Sequence, residues 1–387
     1  MRFLLASDFV PDPDAGSAGS IFDTGDALTR AGHEVDYLWR AEEVESWIPH
    51  PFFSRWRNLP RRQTRQISDH LAVVSYDVVI IYQPYAAAAF EELPQLYPDT
   101  LFLNGTHGWE DRFHEARLHF EWDGPFSLPR RLGLHTTKML IDRLCRRTAR
   151  ASHGIVCPTK RCQSYLLERY GVPLERMGLV RTGLDDVFFR AAPERVPSTT
   201  VRMLFVGNYL PLRARALEAM LPSIGARYPN ATMTFVVNSG AAREVDAKFR
   251  PHFGQRLTVR TWVRRSEITK IYAAHDLLIF PSLFEGFGRV VLEGMSNGLC
   301  VVGFAEGALP EIATSGEDAL FCETGDAATL QKLLEQCLDE PAIVYEIGKR
   351  ARETAKKYPL SDTAEKLVAF CLERRGAVLG SRDEPRA

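Results

Sequence analysis

The chain has 387 residues, 45% of them hydrophobic and 25% charged, with a formal net charge of −1. That balance excludes a disordered or collagen-like chain, offers no general basic field for nucleic acid, and at this length accommodates two domains of about 180 residues each. No apolar stretch reaches the roughly 18 to 20 residues of a membrane span, and the run from Met1 to Ala6 meets Asp8 too soon for a signal peptide, so a cytoplasmic protein is expected. Seven cysteines, an odd number with no Cys-x-x-Cys pair, suit small core positions in a reducing compartment better than a disulfide framework or zinc ribbon.

In chain order, short apolar runs fall at Arg2–Ala6, Val35–Trp39, Val78–Tyr82, Leu101–Leu103, Gly154–Pro158 and Gly178–Arg181, separated by longer polar or helical stretches. This is the rhythm of strands alternating with helices in a parallel sheet. The pattern restarts after a proline-bearing connector, Ala191 to Thr200, with runs at Arg202–Val206, Thr232–Val237, Leu257–Thr261, Leu277–Phe280, Cys300–Gly303 and Leu320–Cys322. The prediction is an α/β protein of two doubly wound, Rossmann-like parallel-sheet domains facing a cleft, where open α/β sheets bind ligands. A closing helix is predicted from Thr354 to Glu373, and a charged, aperiodic, mobile tail from Gly376.

Several segments of the first half carry candidate chemistry. Ala15-Gly16-Ser17-Ala18-Gly19 follows the first strand and opens a helix; it lacks Gly-x-Gly-x-x-Gly, so a nicotinamide or flavin site has little support. Arg55, Arg57, Arg61, Arg62 and Arg65 form a run without acids, and Arg143, Arg146, Arg147 and Arg150 fall at helical spacing. Such clusters fit a solvated helix face, or an anionic membrane surface or phosphorylated acceptor. His107 sits just past a predicted strand end. His114, Glu115 and His119 invite a metal reading, but histidines five apart on a helix diverge by about 140°, unlike the i, i+4 pair of a zinc protease helix.

The most informative stretch is Pro281-Ser282-Leu283-Phe284-Glu285-Gly286-Phe287-Gly288-Arg289-Val290-Val291-Leu292-Glu293. A buried strand ends at Pro281-Ser282, a glycine-bearing turn lets the backbone approach a ligand, and a helix starts near Arg289. A helix N-terminus presents unpaired N–H groups and the positive end of its macrodipole, so the amides around Phe287, Gly288, Arg289 and Val290 suit a phosphate. Glu293, about one turn inside, can accept from two neighbouring hydroxyls such as those of a ribose, while Glu285 stays in the turn toward the reacting end.

Two glutamates separated by seven residues, with the strand, the Pro-Ser, the Gly-Phe-Gly and the following Gly298-Leu299-Cys300-Val301-Val302 in register, resemble the retaining glycosyltransferases of family 4, which have the GT-B fold. The resemblance covers nearly the whole chain, most densely from Arg202 to Tyr358 and most thinly from Ala41 to Tyr76 and from Trp109 to Arg131, where acceptor walls are expected. It implies an acceptor-side domain over 1–185, a nucleotide-sugar domain over 186–355 entered through Thr182-Gly183-Leu184-Asp185, a helix over 356–375 returning to the first domain, and a tail over 376–387. It also implies roles. Glu285, His107 and Arg213 would act on the transferring sugar and diphosphate. Gly16, Asn208, Gly286, Phe287, Gly288, Arg289, Val290 and Glu293 would hold the donor. Family members usually carry arginine directly after the glycine at Gly207 and lysine at Arg213. Here the second base is kept in kind and the first is replaced by Asn208. Either Asn208 donates a neutral hydrogen bond with Arg215 or another cation assisting, or the diphosphate is held more weakly than in typical relatives.

The implied activity is transfer of a sugar from a nucleotide-diphosphate donor, such as a UDP- or GDP-sugar, with retained anomeric configuration and no metal or cofactor. The acceptor would be a saccharide, a lipid-linked or a small-molecule hydroxyl, in bacterial surface polysaccharide, glycolipid or glycoside synthesis. Peripheral contact at the inner face of the plasma membrane through the arginine clusters belongs to the same expectation. The alternatives are a sugar-nucleotide epimerase of the same fold, a catalytically weak nucleotide-sugar binding protein suggested by Asn208, and a nicotinamide oxidoreductase, which lacks its fingerprint.

Overall fold

A computed structural model describes residues 1–39, 59–82, 86–121, 128–190 and 198–380. The chain divides into two compact units, Met1–Gly183 together with the segment from Leu360 onward, and Leu184–Pro359.

The first unit contains six parallel strands: β1 (Arg2–Ala6), β2 (Glu34–Leu38), β3 (Val78–Tyr82), β4 (Leu101–Gly105), β5 (Gly154–Cys157) and β6 (Met177–Leu179), in the order β2-β1-β3-β4-β5-β6. The second repeats the plan with β7 (Arg202–Val206), β8 (Thr232–Val237), β9 (Leu257–Thr261), β10 (Leu277–Phe280), β11 (Cys300–Phe304) and β12 (Leu320–Cys322), in the order β12-β11-β10-β7-β8-β9. Every predicted run is a strand, with ends moved by a residue or two. Central strands such as β3 are buried at every position, because helices cover both faces of a parallel sheet, whereas the edge strand β2 is not fully buried at any position.

In each sheet the strand order reverses once, between β1 and β3 and between β7 and β10. At such a switch point the connections leave in opposite directions and open a crevice beyond the carboxyl ends of the strands. Thus the loop after β1 leaves beside the switch point of the first sheet, and those after β7 and β10 leave beside that of the second.

The last helix differs from its predicted bounds. It runs from Leu360 to Leu379, and Thr354 instead belongs to the preceding helix, Pro341–Ala355, of the second unit. Pro359 separates them, since it lacks an N–H and its ring opposes a continuing helix. Leu360, Ala364, Leu367, Phe370 and Cys371 pack with Phe3, Leu5, Ile80 and Leu103 in the core of the first unit. Residues 376–379, predicted as tail, are helical. Residues 381–387, the connector over 191–197, and Arg55 and Arg57 lie outside the described residues.

Candidate active site

In the second unit the switch point brings two sequence-predicted residues together. Beyond β7 the chain passes Gly207 and the exposed Asn208, and Pro211 starts the Pro211–Arg227 helix in the position where a missing N–H costs nothing. Arg213 stands in its first turn. Beyond β10, Pro281 and Ser282 are buried, and the Leu283 N–H donates to the Leu212 carbonyl at 2.9 Å, which ties the two segments. Arg213 Nη2 then donates to Glu285 Oε2 at 2.8 Å and Arg213 Nε to Ser282 Oγ at 3.1 Å. The Ser282 hydroxyl donates to the same carboxylate oxygen at 3.2 Å. Both charged side chains are about one-fifth exposed.

The turn after Glu285 is held by close backbone approach. Gly288 caps the Arg289–Ser296 helix in the left-handed region, φ 84° and ψ 57°, and a Cβ there would lie 2.9 Å from Phe280 Cζ and 3.2 Å from Glu285 Cγ. Gly307, at φ 61°, presses on the other side, where a Cβ would meet the Phe287 carbonyl oxygen at 2.6 Å. The Ala308 N–H donates to that same carbonyl at 2.8 Å. The helix therefore begins at a fixed place with no side-chain cap, so its first amides are aimed by the backbone.

Glu293 lies one turn into this helix and is 8% exposed. Tyr272, completely buried, donates its hydroxyl to Glu293 Oε2 at 2.8 Å, and Arg289 Nη2 lies 3.6 Å from Oε1. Burial, then the neighbouring carboxylate, push the Tyr272 phenol well above its ordinary range, so it acts as a fixed donor.

In the first unit, Gly16 is the first residue of the Gly16–Arg30 helix, whose N-cap, Ala15, makes no side-chain hydrogen bond. Ser20 of that helix donates to the Ser17 carbonyl at 2.8 Å, and its oxygen lies 3.3 Å from His107 Nδ1. With the hydroxyl proton so engaged, the Ser20 oxygen can accept from an Nδ1–H. The imidazole stacks on Tyr82 at 5.3 Å and lies 5.7 Å from Phe9. The turn carrying His107 is strained: Trp109 has φ 69°, the one positive φ outside glycine among the described residues. Thr106 Oγ1 accepts the Gly108 and Trp109 N–H groups at 3.1 and 2.7 Å, and the Trp109 ring is buried 6.0 Å from Tyr170.

The structure thus groups Arg213, Glu285, Gly286, Phe287, Gly288, Arg289, Val290 and Glu293 in the second unit with Asn208 at the same switch point, and Gly16 and His107 in the first. Sequence reasoning missed Ser282, Tyr272 and Gly307 as partners of these residues. Gly307 carried a signal, a glycine just past a strand; the pairing of Tyr272 with a glutamate 21 positions away carried none. The stretch from Trp109, expected as an acceptor wall, begins with a core residue. Of the second arginine cluster, Arg146 lies 3.6 Å from Asp142 and Arg147 makes a two-pronged pair with Glu91 at 2.8 and 2.5 Å, while Arg143 and Arg150 are exposed. Arg61, Arg62 and Arg65 are exposed on the Leu59–Leu71 helix.

Comparison with known proteins agrees with this architecture. The family model described as Glycosyltransferase Family 4 matches residues 15–188, and that described as Glycosyl transferases group 1 matches residues 186–340. A D-inositol 3-phosphate glycosyltransferase of Corynebacterium efficiens is 22% identical over 93% of this chain and 92% of its own length. One from Corynebacterium aurimucosum is 24% identical over 92% and 91%. Among solved structures, the sucrose-phosphate synthase of Thermosynechococcus elongatus superposes with a TM-score of 0.77 at 18% identity, over 97% of this chain and 100% of that one. Anabaena Alr3699/HepE, in complex with UDP-glucose, gives 0.68 at 16% identity over 95% and 98%. Two six-stranded parallel sheets with paired switch points, together with these matches, make the chain a member of the family 4 glycosyltransferases with the GT-B fold.

Proposed function

We propose that this enzyme moves a sugar from a nucleoside-diphosphate donor to a hydroxyl acceptor with retention of anomeric configuration and without a metal ion. The observation that carries the reading is the meeting of Arg213, Glu285 and a helix N-terminus at the β7/β10 switch point, with Glu293 one turn further on. A departing diphosphate develops negative charge, and a cation with preorganised amides is the arrangement that lowers the cost of forming it. With donor bound, the phosphates would draw hydrogen bonds from Arg213 and free Glu285 to accept from sugar hydroxyls, together with the Phe287 and Gly288 amides. Glu293 would accept from the ribose. The acceptor hydroxyl would attack from the face the diphosphate leaves, and its proton would pass to the leaving phosphate oxygen, so no protein base is required. His107 would bond the transferring sugar.

The UDP and UDP-glucose complexes of Alr3699/HepE support a UDP-sugar as the first donor to try, with GDP-sugars next. The D-inositol 3-phosphate glycosyltransferase relatives support a polar, phosphorylated acceptor as the first to try. Among the described residues no helix is long and apolar enough to cross a membrane. Among the described residues of the two clusters, the exposed Arg61, Arg62, Arg143 and Arg150 are candidate contacts for an anionic surface at the inner face of the membrane, in surface polysaccharide or glycolipid synthesis, while Arg65 lies 3.9 Å from Asp69. The exposed Asn208, where the family resemblance implies a base, favours a second reading as a weak nucleotide-sugar binder. Proton NMR of products formed from a nucleotide-sugar panel and an acceptor mixture, with and without chelator, tests the proposal. The same anomer in donor and product, formed in chelator, supports it. An inverted product, a metal requirement, or an epimerised donor without acceptor overturns it.

A further inference from the structure

Glu293 is held by side chains at both of its carboxylate oxygens, Tyr272 at Oε2 and Arg289 near Oε1. Its carboxylate is nine-tenths buried, and a buried carboxylate costs stability unless its oxygens are hydrogen-bonded. The hydrogen bond comes from Tyr272, on the Arg265–Ala273 helix, a separate element packed on the same core as Val291, Leu292 and Met295. Tyr272 is completely buried, has a rigid ring with a single rotatable donor, and keeps its proton because burial and the Glu293 carboxylate push its pKa well above the ordinary phenol value. Its hydroxyl occupies one lone-pair direction of Oε2 and fixes the rotation of the carboxylate about its last bond. Arg289 lies on the Oε1 side at 3.6 Å.

We propose that Tyr272 is a positioning residue for recognition of the donor's ribose: by locking the Glu293 carboxylate it creates the discrimination between a ribonucleotide and a nucleotide lacking the 2′- and 3′-hydroxyls. The proposal rests on the nucleotide-sugar reading of the second unit. It also assigns a division of labour. Arg213 and the helix N-terminus hold the diphosphate irrespective of the sugar of the nucleoside, and the Tyr272–Glu293 pair reads that sugar.

The test is calorimetric titration of the full-length protein with a ribonucleoside diphosphate and its 2′,3′-dideoxy counterpart, for wild type and Tyr272→Phe. Wild type is expected to favour the ribonucleotide by about tenfold or more, as for loss of hydrogen bonds to a charged group. Tyr272→Phe keeps the ring and its packing. It is expected to weaken the ribonucleotide by about tenfold while leaving the dideoxy compound within about twofold, so that the ratio collapses. Equal weakening of both ligands would mark Tyr272 as merely structural and overturn the proposal, as would an unchanged ratio. Failure of wild type to bind any ribonucleoside diphosphate would overturn the nucleotide-sugar reading itself, a separate outcome. If Tyr272→Phe alone does not fold because it strands the carboxylate, Glu293→Gln with and without Tyr272→Phe completes the cycle. No further change in the ratio from Tyr272→Phe in that background supports the proposal, and an added loss contradicts it.

Discussion

Arg213 and Glu285 are 72 positions apart in sequence and 2.8 Å apart in space, joined through Ser282, because their segments leave adjacent strands at the point where the strand order of the second sheet reverses. The pair sets a cation beside an acid without burying either completely. Attraction is retained, and an incoming anion can still compete for the guanidinium.

Arg213→Ala is therefore expected to weaken nucleoside-diphosphate binding by about 10- to 100-fold, the worth of charge-assisted hydrogen bonds of roughly 1.5 to 3 kcal/mol. Arg213→Lys keeps the charge but loses the planar fork that reaches both Ser282 and Glu285, and its loss should fall in between. Titration calorimetry reads both; unchanged affinity in Arg213→Ala would remove this residue from the site.

Gly288→Ala forces a side chain into φ 84° and against Phe280 at 2.9 Å. The expected destabilisation is about 1 to 3 kcal/mol, a fall of roughly 2 to 12 °C in the melting temperature of the second unit. Calorimetry checks it. Because the helix start would move, diphosphate affinity should fall together with Tm; a variant with wild-type stability and affinity would show that the left-handed cap is not required.

The buried carboxyl of Asp111 gives the first unit a pH signature opposite to the common one. Burial, reinforced by the charge of Glu115, raises its pKa above the ordinary 3.8 despite donation from the Tyr165 hydroxyl at 2.6 Å and from Tyr170. The folded state then holds this proton more tightly than the unfolded chain, so the contribution of Asp111 is fully present below pH 3.8 and is lost as pH rises through the raised value. Asp111→Asn cannot titrate. Urea unfolding of both proteins along a pH series should show wild type losing stability relative to the variant as pH climbs from 3.8. A relative gain over that window would mean that the tyrosines stabilise the carboxylate more than burial penalises it.

Much of this architecture is readable in the chain because its strands are buried on both faces: Val78–Tyr82 and Leu277–Phe280 are unbroken apolar runs, which is the pattern of a parallel sheet covered by helices. The helix at Arg289 was legible from the glycine turn before it. What escaped depends on which side chain packs against which. Tyr272 meets Glu293 only because two helices share one core, and the strain at Trp109 arises from Thr106 and Tyr170 closing on a turn whose sequence, Thr-His-Gly-Trp, shows no sign of it. The last helix was misplaced for a local reason, because the apolar periodicity continues across Pro359 while the backbone does not.

The proposed function requires the second unit to bind a nucleoside diphosphate through Arg213, the Arg289–Ser296 helix start and Glu293. The most direct test is a thermal-shift series with uridine, guanosine, adenosine and thymidine diphosphates and their sugars on wild type and Glu293→Ala. At 100 times its dissociation constant a ligand stabilises by about 2.7 kcal/mol, or roughly 5 to 10 °C. Such a shift is expected for one ribonucleotide class, sharply reduced in Glu293→Ala. No shift with any nucleotide, or an equal shift in the variant, would contradict it.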